Sequence, residues 1–120
     1  MVLEKLYANQ RVQMVDDVVW QPTYAPECAQ AIWKLVEQGH EGETFHVAGP
    51  DRMSMYAFAV EVAKAFNRDA GLIEPVPSTH FPGIAPRPRD TSYDLSKIKR
   101  LGIELSGVKE GLRKMGKDRP

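Results

Sequence analysis

Apolar residues recur along this chain with two periods, one helical and one extended. Between residues 26 and 38, Ala29, Ile32, Trp33 and Val36 stand at i, i+3, i+4 and i+7, which gathers them on one helix face. Pro26 suits a first helical position, Glu27 complements the positive end of the helix dipole, and Gly39 stands where a left-handed terminating residue is wanted. A helix over 26–38 with one apolar face is therefore predicted. A second follows at 55–66, with Ala59, Val62, Ala63 and Phe66 inward, Ser54 as cap, and Met53 placed to staple onto Phe58. Residues 67–71 end it. Strands are predicted at 12–15, 44–48 and 72–76, and the helix–strand alternation is that of α/β packing.

The flanks are less regular. Residues 1–9 read as a short helix with Val2, Leu3, Leu6 and Tyr7 apolar, uncapped, as in a chain that starts inside an element. Asp16 and Asp17 terminate the first strand, one of them bonding to loop backbone, and residues 18–24 form a loop. Five of the nine prolines (75, 77, 82, 86 and 88) fall in 75–88, which excludes a helix or a central strand there. Long loops of this kind tend to be functional. Residues 91–93 pair briefly as a strand. Asp94 or Ser96 then caps a short helix bearing Leu95, Ile98 and Leu101, stopped by Gly102. Ser106 is the expected cap of a last helix with Val108, Leu112 and Met115 inward and a basic frayed tail.

Composition narrows the class. A chain of 120 residues is one small domain burying roughly 65% of its unfolded surface. One cysteine excludes an internal disulfide framework and a multi-thiolate zinc site. Sixteen basic against sixteen acidic residues argue against a nucleic-acid partner, and no apolar run is long enough for a membrane span. Without a signal peptide, a soluble cytoplasmic chain is the expectation. Charge is uneven nonetheless: residues 97–120 carry eight basic and three acidic side chains, which reads as a helical end packed near an acidic body.

Familiar catalytic patterns are absent: the sequence has no Gly-rich dinucleotide fingerprint, phosphate loop, H-E-x-x-H or G-x-S-x-G. His40 reads as an exposed turn residue and His46 as a sheet residue with a hydrogen-bond partner. His80, in the proline-rich loop, is the histidine placed to meet a ligand. None has a metal-ligand companion at usable spacing. Cys28 reads as a small hydrophobe on its helix. The informative stretch is Arg87-Pro88-Arg89-Asp90. Two guanidiniums flanking a rigid proline suit a phosphate clamp, since arginine binds phosphate oxygens bidentately, and Asp90 can hold an arginine or accept from sugar hydroxyls. An Arg–Asp surface pair that finishes the loop fits the residues equally well.

Three segments carry a resemblance. Residues 15–25 (Val-Asp-Asp-Val-Val-Trp-Gln-Pro-Thr-Tyr-Ala) resemble the Asp-Gln-x-Gly-x-Pro-Thr passage of dTDP-4-dehydrorhamnose reductases, and the helix with Ile32-Trp33 continues the match. Phe45-His46-Val47-Ala48-Gly49-Pro50, followed by Ser54, is similar to the family's last dinucleotide-domain strand and next helix cap. Residues 87–97 are similar to its Arg-Pro-x-x-Ser-x-Leu-Asp run. Order and spacing agree over essentially the whole chain. Val18 and Trp20 depart from the family's Gln and Gly, which makes the loop bulkier and more apolar.

The resemblance implies the C-terminal portion of an extended short-chain dehydrogenase/reductase, with the last Rossmann helix and strand plus a small substrate-binding lobe. Residues 24–66 would be Rossmann-derived, and 1–23 and 67–120 would form the substrate lobe of one C-terminal region. It implies NADP or NAD, held by an upstream half outside these residues, together with the family's catalytic Tyr-x-x-x-Lys. Tyr93 and Lys97 have that spacing but stand in the sugar-nucleotide region, so no catalytic residue is assigned here. A nucleotide sugar, a dTDP-sugar first, is the implied ligand. Arg87 is the implied diphosphate contact, with Arg89 assisting and Asp90 orienting, and residues 18–23 and 79–85 wall the sugar side. A non-catalytic module like the methionine adenosyltransferase regulatory subunit is the alternative. The lone strand 44–48 would present unpaired edges, so an N-terminal Rossmann half or self-association is the implied partner.

Overall fold

A computed structural model of the chain describes residues 1–83 and 85–118. The predicted residue Ile84 of the 79–85 loop and the last two residues of the basic tail lie outside the described residues.

Helix α1 (Val2–Tyr7) buries Leu3 and Leu6. Strand β1 (Val12–Val15) pairs in parallel with β4 (Ile73–Val76), Val12 opposite Ile73 and Val15 opposite Val76. Helix α3 (Met55–Ala65) covers this pair: its Ala59 and Ala63 pack with Leu6 and Ile73. Ser54 caps α3 as the sequence predicts, its Oγ accepting from the Ala57 N–H at 3.0 Å. Asn67 ends the helix at φ 52°. On the other side of α3, Val62 meets Leu3 and the inner face of α5 (Val108–Lys117), Val108 and Leu112.

The predicted loop 18–24 contains a short strand, β2 (Val19–Trp20), antiparallel to β3 (Met53–Ser54). The predicted strand at 91–93 does not form; the pairing falls one residue earlier, where Val19 bridges Asp90, with the Thr91 N–H donating to the Val19 carbonyl at 3.0 Å. The last helix is not capped by Ser106. Gly107 is the N-cap, and the Asp51 carboxylate accepts from the Val108 N–H at 2.7 Å. Ser106 turns instead to Glu27. An acid 57 residues upstream outcompetes the local serine because an ionised acceptor bonds the helix end more strongly.

Helix α2 (Ala25–Glu37) forms where predicted, but its buried residue is Ala31. With half-buried Leu35, Ala31 packs on Ile98 of α4 (Ser96–Lys99) and on Ile103. The face predicted from periodicity points outward: Ile32 is 52% exposed and Trp33 and Val36 64% each. The helix is apolar on two sides and covered on one.

Residues 44–48 do not form a strand. They run without a ladder partner among the described residues, because a strand exists only by pairing and no neighbour reaches them. His46 accordingly has no sheet environment; its ring stacks on Tyr93, centroids 4.7 Å apart.

Candidate functional site

The loops after β1 and β2 meet the proline-rich segment that follows β4. Asp17 accepts from the Ser78 N–H (2.8 Å) and hydroxyl (3.0 Å), so one of the two adjacent aspartates does bond loop backbone. Arg89 Nη1 lies 3.8 Å from the same carboxylate. Burial opposes ionisation of Asp17, but the Ser78 amide and hydroxyl and then Arg89 hold its pKa below the ordinary value. His80 leans on Phe81, and its Nε2 is 2.9 Å from Gln13 Oε1.

Residues 89–93 are tied down from several sides. The Val19 N–H donates to the Arg89 carbonyl at 2.7 Å, and the Tyr93 N–H donates to Gln21 Oε1 at 2.6 Å. Asp90 Oδ1 accepts from the Ser92 N–H (2.9 Å) and hydroxyl (2.5 Å). Its other oxygen is taken by the Arg52 guanidinium, whose Nε donates to Ser92 Oγ at 2.9 Å. The Ser92 hydroxyl and amide and then Arg52 hold the Asp90 carboxyl below its ordinary pKa.

The three sequence-predicted residues thus lie on one loop but not in one cluster. Asp90 holds an arginine, and that arginine is Arg52, not Arg87 or Arg89. Arg89 is 75% exposed, and Arg87 is exposed with no ion-pair partner among the described residues. Arg52, Gln21 and Asp17 were missed as a constellation: Arg52 sits 38 residues before its partner, and no local spacing marks it.

Tyr93 and Lys97 are separately engaged, Tyr93 on His46 and Lys97 on the Thr44 carbonyl (2.9 Å), Glu43 (3.3 Å) and the Phe45 ring. His40 also bonds Glu43. A cavity of about 460 Å³ between α2 and α5 is walled by Pro22, Pro26, Phe58, Leu112 and Met115. No group of three His, Cys, Asp or Glu residues gathers as a metal site among the described residues.

Among the described residues, the starts of α2, α3 and α5 do not offer the cradle that a dinucleotide's pyrophosphate takes. A pyrophosphate rests on free N–H groups at a helix N-terminus. Here α2 begins with Ala25-Pro26-Glu27, α3 is closed by Ser54, and α5 is closed by the Asp51 carboxylate.

The chain matches the family described as RmlD substrate binding domain over residues 1–119. It is 34% identical over 87 residues to dTDP-4-dehydrorhamnose reductase of Mycobacterium tuberculosis (strain ATCC 25618 / H37Rv), covering 72% of this chain and 29% of that protein. It is 33% identical over 106 residues to methionine adenosyltransferase 2 subunit beta of Pongo abelii, covering 78% and 31%. Among solved structures it superimposes on dTDP-4-dehydrorhamnose reductase from Bacillus anthracis in complex with NADP, with a TM-score of 0.87 at 21% identity, covering 98% of this chain and 42% of that one. The chain therefore spans about a third of the length of these curated relatives.

Proposed function

This chain belongs to the RmlD substrate-binding domain family and has the fold of the C-terminal portion of an extended short-chain dehydrogenase/reductase, and on that premise we propose that it binds a nucleotide sugar, a dTDP-sugar first. The observation that carries this reading is the loop 87–93, pinned over 89–93, which presents exposed, uncommitted Arg87 near Arg89. Arg87 takes the diphosphate, Arg89 assists, and Asp90, held by Arg52, orients the loop. The loop over 18–23 and the described residues of 79–85 wall the sugar side. In this reading 24–66 is Rossmann-derived and the remainder is substrate lobe, with α3 burying its inner face in the lobe.

The dinucleotide and the hydride chemistry belong to a dinucleotide-binding sheet that docks on the exposed face of α2 and pairs with 44–48. No residue of this chain is given a catalytic role. The test is calorimetric titration with thymidine diphosphate. Arg87→Ala is expected to weaken binding by about 1.5–3 kcal/mol, the range for charged hydrogen bonds. Unchanged affinity removes Arg87 from the site, and no binding of dTDP, UDP or GDP sugars by the parent chain overturns the reading.

A second reading, a non-catalytic binding module, is favoured by the likeness to the methionine adenosyltransferase subunit. Reduction of a 4-keto sugar nucleotide by the chain complemented with its sheet partner decides between them.

A further inference from the structure

We propose that Arg52 is the positioning residue of this site: by occupying Asp90 it keeps Arg87 and Arg89 from pairing with that carboxylate, so that Arg87 stays free for an anionic ligand and Arg89 keeps only its 3.8 Å approach to Asp17; the inference rests on the nucleotide-sugar reading above. Asp90 carries the nearest carboxylate to both loop arginines in sequence, and an exposed loop lets such neighbours pair with each other. A loop arginine bound to Asp90 is lost to a diphosphate, both as a charge and as a donor fork. The geometry prevents this in two ways.

First, both oxygens of Asp90 are engaged. One oxygen accepts from the Ser92 amide and hydroxyl, and the other accepts from Arg52. Second, the guanidinium of Arg52 bridges Asp90 and Ser92 together, Nε to Ser92 Oγ at 2.9 Å and Nη2 to Asp90. That fork ties the loop to the segment leading into β3, across the β2 strand that Asp90 itself bridges. The loop is thereby held to the body at a fixed height beside Val19, with Arg87 directed to solvent and Arg89 toward Asp17. Lysine keeps the charge but lacks the planar fork, so it can neutralise Asp90 without reproducing the paired Nε–Ser92 and Nη2–Asp90 bonds in one fixed geometry.

The experiment measures thymidine diphosphate binding by calorimetry for the parent chain, Arg52→Gln and Arg52→Lys, with the melting temperature of each. Arg52 is 56% exposed at its side chain, so both variants are expected to melt close to the parent. Arg52→Gln is expected to lose about tenfold in affinity, and Arg52→Lys to recover part of that loss. The amide NMR signals of Thr91, Ser92 and Tyr93 are expected to shift in Arg52→Gln, while those of the β1–β4 ladder stay in place. Parent binding with an unaffected Arg52→Gln overturns the role of Arg52 alone. Absence of parent binding overturns the nucleotide-sugar reading and this inference with it.

Discussion

Glu27 joins two elements that are far apart in sequence. Its carboxylate accepts from the Ser106 N–H and hydroxyl, both at 2.7 Å, and from the Lys114 ammonium, which ties the first turn of α2 to α5. The Lys114 bond and, against burial, the Ser106 bonds push its pKa from 4.5 down to about 2. The unfolded chain therefore takes up this proton first as pH falls. The stabilisation is full above pH 4.5 and is lost toward pH 2. It should amount to about 2 kcal/mol after allowance for solvent screening. Urea unfolding of the parent and Glu27→Gln across that window is expected to show their difference shrinking by this amount; a constant difference would contradict it. Local chemistry was legible at Ser54, whose partner lies three residues on, and at Asp17 only as far as a bond to loop backbone, since Ser78 lies 61 residues away. Ser106 and Arg52 were not, because their partners lie 79 and 38 residues away.

Helix α2 and the segment after it make the case at the next scale. Periodicity found the apolar stripe Ala29, Ile32, Trp33 and Val36, yet Ala31 and Leu35 are the residues turned to the core. A helix apolar on two sides is built to lie between layers, and the spacing alone does not say which layer is its own. Residues 44–48 have the alternation of a strand, with Phe45 and Val47 packed toward Ile98 and Ile103. Yet no described residue offers their backbone a ladder. Hydrogen exchange is expected to find the amides of 45–48 unprotected while the β1–β4 ladder is slow. Slow exchange across 45–48 in dilute chain would mean that the segment is already paired. Addition of the matching sheet should slow it.

The whole molecule is open. Its radius of gyration is 16.3 Å, against about 13–14 Å for a compact chain of this length. Its accessible surface is 8123 Å², against about 6500 Å² for a folded monomer of this mass. The thinnest dimension is 19 Å, and the core divides into three small clusters in which, among the described residues, Leu6 is the one large side chain fully buried. The excess surface is of the order that an ordinary protein interface covers. The isolated chain is therefore expected to be marginal and to gain stability by association, with a melting temperature that rises with concentration. Trp33→Glu is expected to abolish that dependence while changing the monomer's stability by no more than about 0.5 kcal/mol, as an exposed substitution should. A sharp, concentration-independent melt of the parent monomer would contradict this.

Sequence alone determined the helices over 26–38 and 55–66, the strands at 12–15 and 72–76, the basic loop and the family likeness. Each of these rests on spacing, turn residues or short motifs, which are local. Tertiary structure decided which apolar stripe of α2 is covered, that 44–48 stays unpaired, and that Asp90 belongs to Arg52. Those outcomes depend on which distant groups arrive at the same place. A ladder, a buried face and an ion-paired carboxylate each need a partner, and no residue's own neighbours in sequence name it.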